Sequence, residues 1–71
     1  MTALKDNNPV RRYRLAAGLR LWELAEKIDI SVPSLSKIER GKQEPSLSII
    51  SRLIKVSKGE LSADDFLQGV Q

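Results

Sequence analysis

Seventy-one residues make one small domain, near the lower size at which a core alone holds a fold. The chain has no cysteine and no histidine, which excludes disulfides, thiolate metal sites and the usual imidazole acid-base chemistry, so stability has to come from packing. Net charge is +3, from 12 Lys and Arg against 9 Asp and Glu, and the surplus lies entirely in residues 1–44, which hold 9 basic and 6 acidic side chains against 3 of each in residues 45–71. An uneven basic charge suits a polyanionic partner on one face, and it equally suits an ordinary solvated surface. The longest apolar run is far short of a membrane span, and Met1 to Asn8 lacks the basic start and apolar stretch of a signal peptide. No membrane partner is expected, and the chain reads as soluble and cytoplasmic.

Residues 1–7 lack periodicity and read as a loose arm. Asn8-Pro9 opens a first helix, because Asn caps well and Pro suits the first turn. This helix should run to about Ala17, with Gly18 as its left-handed stop. Its apolar stripe is Val10, Tyr13 and Ala17, and Arg14 falls in the middle of that stripe, where a charge needs a partner. Leu21, Leu24, Ala25 and Ile28 then follow the i, i+3, i+4, i+7 pattern with Glu23, Glu26 and Lys27 outward, which predicts a second, short amphipathic helix.

Asp29-Ile30 makes a tight turn into Ser31, a good N-cap, and Pro33 is tolerated in the first turn of the third helix, which Gly41 ends. At about 100° per residue, Val32, Pro33, Ser36 and Lys37 gather on one side of this helix, with Ser34, Leu35 and Ile38 on roughly the opposite side. Packing accounts for Leu35 and Ile38. The other side is a small mixed surface without a catalytic group. Two short helices joined by about three residues have the spacing of a helix-turn-helix.

Lys42 to Pro45 is a polar loop, and Ser46 caps a fourth helix running to Val56 or Ser57. Leu47, Ile50 and Ile54 form one apolar stripe on it, and Ile49, Leu53 and Val56 form another. Lys58-Gly59 is a turn, and Ser62 to Asp65 has the capping-box spacing that opens a short fifth helix through Phe66 and Leu67, leaving 68–71 as a loose tail. With no strand pattern, the expectation is an all-α, five-helix single domain over 1–71. The second stripe of the fourth helix, with Leu61, Phe66, Leu67 and Val70, is more apolar surface than such a core requires, and it is a candidate homodimer interface. The alternative is that the fifth helix folds back and covers it.

Residues 9 to about 56 resemble the phage-repressor and Cro type of helix-turn-helix regulator, also called the XRE family. The resemblance rests on Arg11 to Arg14 before Gly18-Leu19, on Glu23-Leu24-Ala25-Glu26-Lys27-Ile28, on Ile30-Ser31, on Leu35-Ser36-Lys37-Ile38-Glu39-Arg40-Gly41, and on Pro45-Ser46-Leu47. It implies a compact lambda-repressor-like fold whose second and third helices form the motif, with the third lying in the major groove of DNA. Val32, Pro33, Ser36 and Lys37 would then face base edges: Lys37 toward guanine O6 and N7, Ser36 toward a base or a phosphate, and Val32 or Pro33 toward a thymine methyl. Pro33 is equally read as a stiffener of its turn.

The same resemblance implies phosphate contacts from Arg20 and Leu21 on one side of that face, from Ser34 at its edge, and from Arg40, Lys42 and Gln43 on the other. Leu21 stands where a glutamine is common, so only its backbone amide could serve, and its side chain is also read as core. Arg20 sits at an N-cap position where Ser or Thr is usual, which predicts a helix without a side-chain cap. Asp29 stands where the turn often has glycine, and Asp is among the few residues that tolerate left-handed backbone. The resemblance also pairs Arg14 with Glu39, a structural ion pair tying the first helix to the third. Trp22, at the border of an apolar stripe, reads as half-buried packing that touches the sugar-phosphate strand at most.

These expectations converge on a sequence-specific double-stranded DNA-binding transcriptional regulator, a repressor on a palindromic operator that acts as a homodimer at the nucleoid. The rival is a helical protein-interaction module, antitoxin-like or adaptor, built on the same fold. An enzyme is the least supported class, because Glu23, Glu26, Asp29 and Glu39 fit exposed helix positions or an ion pair. No cofactor, no metal and no small-molecule ligand is expected, and the length leaves no room for a ligand-sensing or self-cleaving domain.

Overall fold

The computed structural model describes residues 8–67; the expected arm (1–7), the expected tail (68–71) with Val70, and the Leu67 side chain lie outside the described residues. Five helices succeed one another: α1 (Pro9–Ala16), α2 (Leu21–Lys27), α3 (Val32–Glu39), α4 (Leu47–Val56) and α5 (Ala63–Leu67). No strand occurs among the described residues.

The helix boundaries arise from capping chemistry. Asn8 Oδ1 accepts from the amides of Val10 (2.9 Å) and Arg11 (3.1 Å) with Pro9 at the first helical position, so the orphan donors of the first turn are met. Ser31 Oγ accepts from Ser34 N at 3.2 Å and Ser46 Oγ from Ile49 N at 3.2 Å. Ser62 N donates to Asp65 Oδ2 at 2.8 Å at the head of α5. Gly18 and Gly41 end α1 and α3 in left-handed backbone, with φ of 71° and 75°, a conformation that carries no Cβ penalty for glycine. Asp29, with φ of 61°, makes the turn between α2 and α3 without glycine.

Arg20 makes no side-chain cap, as its type requires, since a guanidinium has no acceptor. The helix start is nonetheless served from the other direction: Arg20 N donates to Glu23 Oε1 at 2.7 Å. Helical spacing assigns Glu23 only an outward position. It also supplies half of a capping box, and its place three residues after the cap is the readable signal.

One core holds the helices together. Val10 of α1, Leu24 and Ala25 of α2 with Ile28 beyond it, Leu35 and Ile38 of α3, Leu53 of α4 and Leu61 before α5 are all buried, and Tyr13, Leu19, Leu21, Ile30, Ile49, Val56 and Phe66 pack against them. Five of the residues offered for a homodimer interface belong to or pack on this core. Leu53 and Leu61 are inside the domain, and Ile49, Val56 and Phe66 are packed on that core, because the α5 segment folds back over this side of α4. The stripe left outward on α4 is the other one: Leu47 is 85% exposed, and Ile50 and Ile54 are only partly covered. Ala17, expected on the inner stripe of α1, is exposed, because it lies past the last helical turn.

Arg14 does have Glu39 as its partner. Nε donates to Oε2 at 2.7 Å and Nη2 to Oε1 at 3.0 Å, a two-pronged pair, while Nη1 donates to the Leu19 carbonyl at 3.1 Å. The side chains are 14% and 6% exposed. Planar guanidinium and carboxylate match in this geometry, which fixes the angle between α1 and α3 as well as their separation. Among the described residues no buried side-chain nitrogen or oxygen lacks a partner. Arg14→Ala, which strands the Glu39 carboxylate, is therefore expected to cost about 3–5 kcal/mol in urea unfolding. The paired replacement Arg14→Met with Glu39→Leu should cost much less, and an unchanged midpoint for Arg14→Ala alone would refute this account.

Candidate nucleic-acid interface

The outward side of α3 is set by what its inward side buries. Leu35 and Ile38 are locked in the core, so Val32, Pro33 and Lys37 are exposed, and Ser36 lies partly exposed between them. The four residues picked from helical spacing thus share one accessible face. Pro33 occupies the second position of α3, where its missing N–H costs no helical hydrogen bond. Ser31 Oγ donates to Ser34 Oγ at 3.0 Å, leaving the Ser34 proton free to turn toward an acceptor at the edge of the face.

Exposed polar and cationic residues flank the motif in sequence. Arg20, before α2, is exposed; Arg40, Lys42 and Gln43 are exposed after α3. Main-chain bonds hold the second group in place, since Gly41 N donates to Ile38 O (3.1 Å) and Lys42 N to Lys37 O (2.8 Å). Arg40 Nε reaches back to Ser36 O at 3.3 Å, which lays the guanidinium along the end of α3 with other N–H groups directed elsewhere. Asp29 and Glu44 are exposed acids close to these cations in sequence.

Two site expectations are sharpened. The Leu21 side chain packs against the core, so nothing but its backbone is available to a phosphate. Trp22 is 55% exposed, about half covered, on the flank of α2 away from Leu24 and Ile28.

Sequence reasoning missed three long-range contacts, of which one ends on α3 itself. Asn8 caps α1 and also donates from Nδ2 to Ile38 O at 3.1 Å. Tyr13 Oη donates to Val56 O at 3.3 Å, and Arg52 Nη1 donates to Ile28 O at 3.0 Å. All three end on main-chain carbonyls far away in sequence, which carry no side-chain signature. Of two shallow grooves, one of about 220 Å³ lies along α1 and the start of α5, and one of about 260 Å³ runs from α1 to the loop after α3, where Gln43 lines it; neither includes Val32, Pro33, Ser36 or Lys37. Among the described residues, no cluster of His, Cys, Asp or Glu could hold a metal ion, and no helix is long and apolar enough to cross a membrane.

A helix-turn-helix family model matches residues 10–59, which span nearly all of α1, the whole motif and α4. The chain belongs to the helix-turn-helix family. Its repressor-and-Cro-type token order and five-helix architecture make this helix-turn-helix domain lambda-repressor-like. It is similar to the HTH-type transcriptional regulator DdrOP3 of Deinococcus deserti, with 40% identity over 62 residues, covering 87% of this chain and 46% of that protein. It is also similar to an uncharacterized HTH-type transcriptional regulator of Mycobacterium tuberculosis, with 37% identity over 46 residues, covering 65% of this chain and 33% of that protein. The chain thus spans less than half the length of these curated relatives. No solved structure gives a significant match.

The cap of α3 is the local feature on which the outward face of this helix-turn-helix domain rests. Ser31→Ala is expected to lower unfolding free energy by about 1 kcal/mol, and Ser31→Asp, which keeps an acceptor at the cap, should hold it. Equal losses in the two variants, read by urea denaturation, would show that the cap hydrogen bond is not what secures the helix.

Proposed function

We propose that this chain is a sequence-specific double-stranded DNA-binding regulator that places α3 in the major groove. The observation that carries the reading is the exposed Val32, Pro33, Ser36 and Lys37 face, set outward by the burial of Leu35, Ile38 and Glu39 and flanked in sequence by the exposed Arg20, Arg40 and Lys42, in a chain of the helix-turn-helix family. In this reading Lys37 donates to guanine O6 and N7, Ser36 to a base or phosphate, and Val32 with Pro33 meets a thymine methyl. Arg20, the Leu21 amide, Ser34, Arg40, Lys42 and Gln43 grip the flanking strand and set the register. The regulatory names of the relatives support a role in transcription.

A face of four side chains carries little discrimination by itself. We therefore read the active form as a homodimer on a palindromic operator, two copies of α3 reaching successive major grooves, which would act as a cytoplasmic repressor by occupying the site. The outward stripe of α4, Leu47 with Ile50 and Ile54, is the apolar surface this reading assigns to the contact between copies. The same exposed stripe and Trp22 also favour the second reading, a protein-interaction module.

Salt separates the two. Affinity for a random-sequence duplex should fall with a log-log slope of about −0.9 per phosphate contact, and Lys42→Ala should flatten the slope by about one contact. Lys37→Ala should reduce the preference for the best-bound sequence by about tenfold and relax it at one base pair. Affinity for duplex that does not respond to salt would contradict DNA binding through phosphate contacts, and an unaltered preference in Lys37→Ala would contradict the base-reading assignment.

A further inference from the structure

Ile28 is the C-cap of α2, and its carbonyl lies where helix geometry supplies no main-chain donor. The amides around it are committed elsewhere: Ile28 N donates to Leu24 O (3.1 Å), Asp29 N to Glu26 O (3.2 Å) and Ile30 N to Ala25 O (3.0 Å). Ile28 itself is fully buried, so its carbonyl has little access to water. Its partner is Arg52 Nη1, 3.0 Å away and 24 residues on, reaching in from an exposed position on the flank of α4.

The peptide that carries this carbonyl joins Ile28 to Asp29. Because a peptide is planar, fixing its C=O direction fixes the ψ of Ile28 and the φ of Asp29 together. That φ is +61°, a region disfavoured for any residue with a Cβ. Two residues later Ser31 caps α3, so a rotation of this one plane re-aims the whole helix. No other side chain of α4 makes a described hydrogen bond to the α2–α3 turn. The far end of α3 is held separately, by Asn8 on Ile38 O and by Arg14 on Glu39.

We infer that Arg52 is a positioning residue for base reading: its charge-assisted hydrogen bond holds the left-handed peptide at Asp29 and so aims α3. The inference rests on the DNA-reading function proposed above. Arg52 need touch no nucleotide. Its charge adds to general attraction for any duplex, whereas the hydrogen bond to Ile28 O acts on discrimination between duplexes.

The test uses Arg52→Met, which keeps the aliphatic stem, and Arg52→Lys, which keeps a donor, each confirmed as folded by circular dichroism at the assay temperature. One readout is the ratio of affinities for a duplex recovered by selection and a scrambled duplex of the same composition, in which loss of one charge cancels. The other is amide exchange in the free protein. Arg52→Met should lower the ratio about tenfold, the size expected of one charged hydrogen bond, and should speed exchange at Ile30 to Leu35 while α1 amides hold. Arg52→Lys should keep most of both. An unchanged ratio in Arg52→Met, exchange that rises evenly through the core, or a Lys variant as impaired as the Met variant would each overturn the assignment. Should the wild-type chain itself fail to distinguish the duplexes, base reading falls, while turn-confined exchange still upholds Arg52 as the clamp and unaltered turn exchange still overturns it.

Discussion

The arrangement of this domain depends on one desolvated ion pair. Arg14 sits in the apolar stripe of α1 and would be intolerable there alone, because taking a cation out of water costs far more than packing its stem returns. Glu39, at the end of α3, makes it tolerable through two parallel hydrogen bonds, and the Leu19 carbonyl takes a third N–H. Such a pair adds little net stability over a well-packed apolar pair. What it adds is geometry: apolar side chains accept many relative orientations, whereas a fork on a carboxylate accepts few. The helix with the exposed mixed face is thereby held in one orientation against α1.

The rest of the structure aims the start of α3 as the ion pair fixes its end. Leu24, Ala25 and Ile28 press α2 into the same core as Leu35 and Ile38, so the two helices of the motif share their buried sides and expose the face that carries Lys37. The turn between them is made by Asp29 in left-handed backbone, and Ser31 caps the first turn of α3. Asn8 adds a second tie at the end of α3, and α4 supplies Arg52 at its entry. A short helix with only one buried side has few contacts of its own, and these side-chain bonds to main-chain carbonyls add to what holds its exposed face in place.

Most of the fold was legible in the residues because its signals are local. Caps at Asn8, Ser31 and Ser46, stops at Gly18 and Gly41, and the 3.6-residue stripe of α2 set the helices. The face of α3 came from spacing alone, and Glu39 as the partner of Arg14 from family resemblance. What stayed hidden was non-local. Two equivalent stripes on α4 gave no means of deciding which faces the core; the fold-back of the α5 segment decides it, burying Leu53 and Leu61 and leaving Leu47 outward. The Asn8, Tyr13 and Arg52 contacts were likewise invisible, since they end on distant backbone carbonyls, which have no residue type.

Base reading by α3 is the central claim, and selection of bound sequences from a random duplex library tests it most directly. The account predicts a single enriched sequence made of two inverted half-sites, their centres about 10 base pairs apart. Recovery of a pool no different from the input after repeated rounds would contradict it.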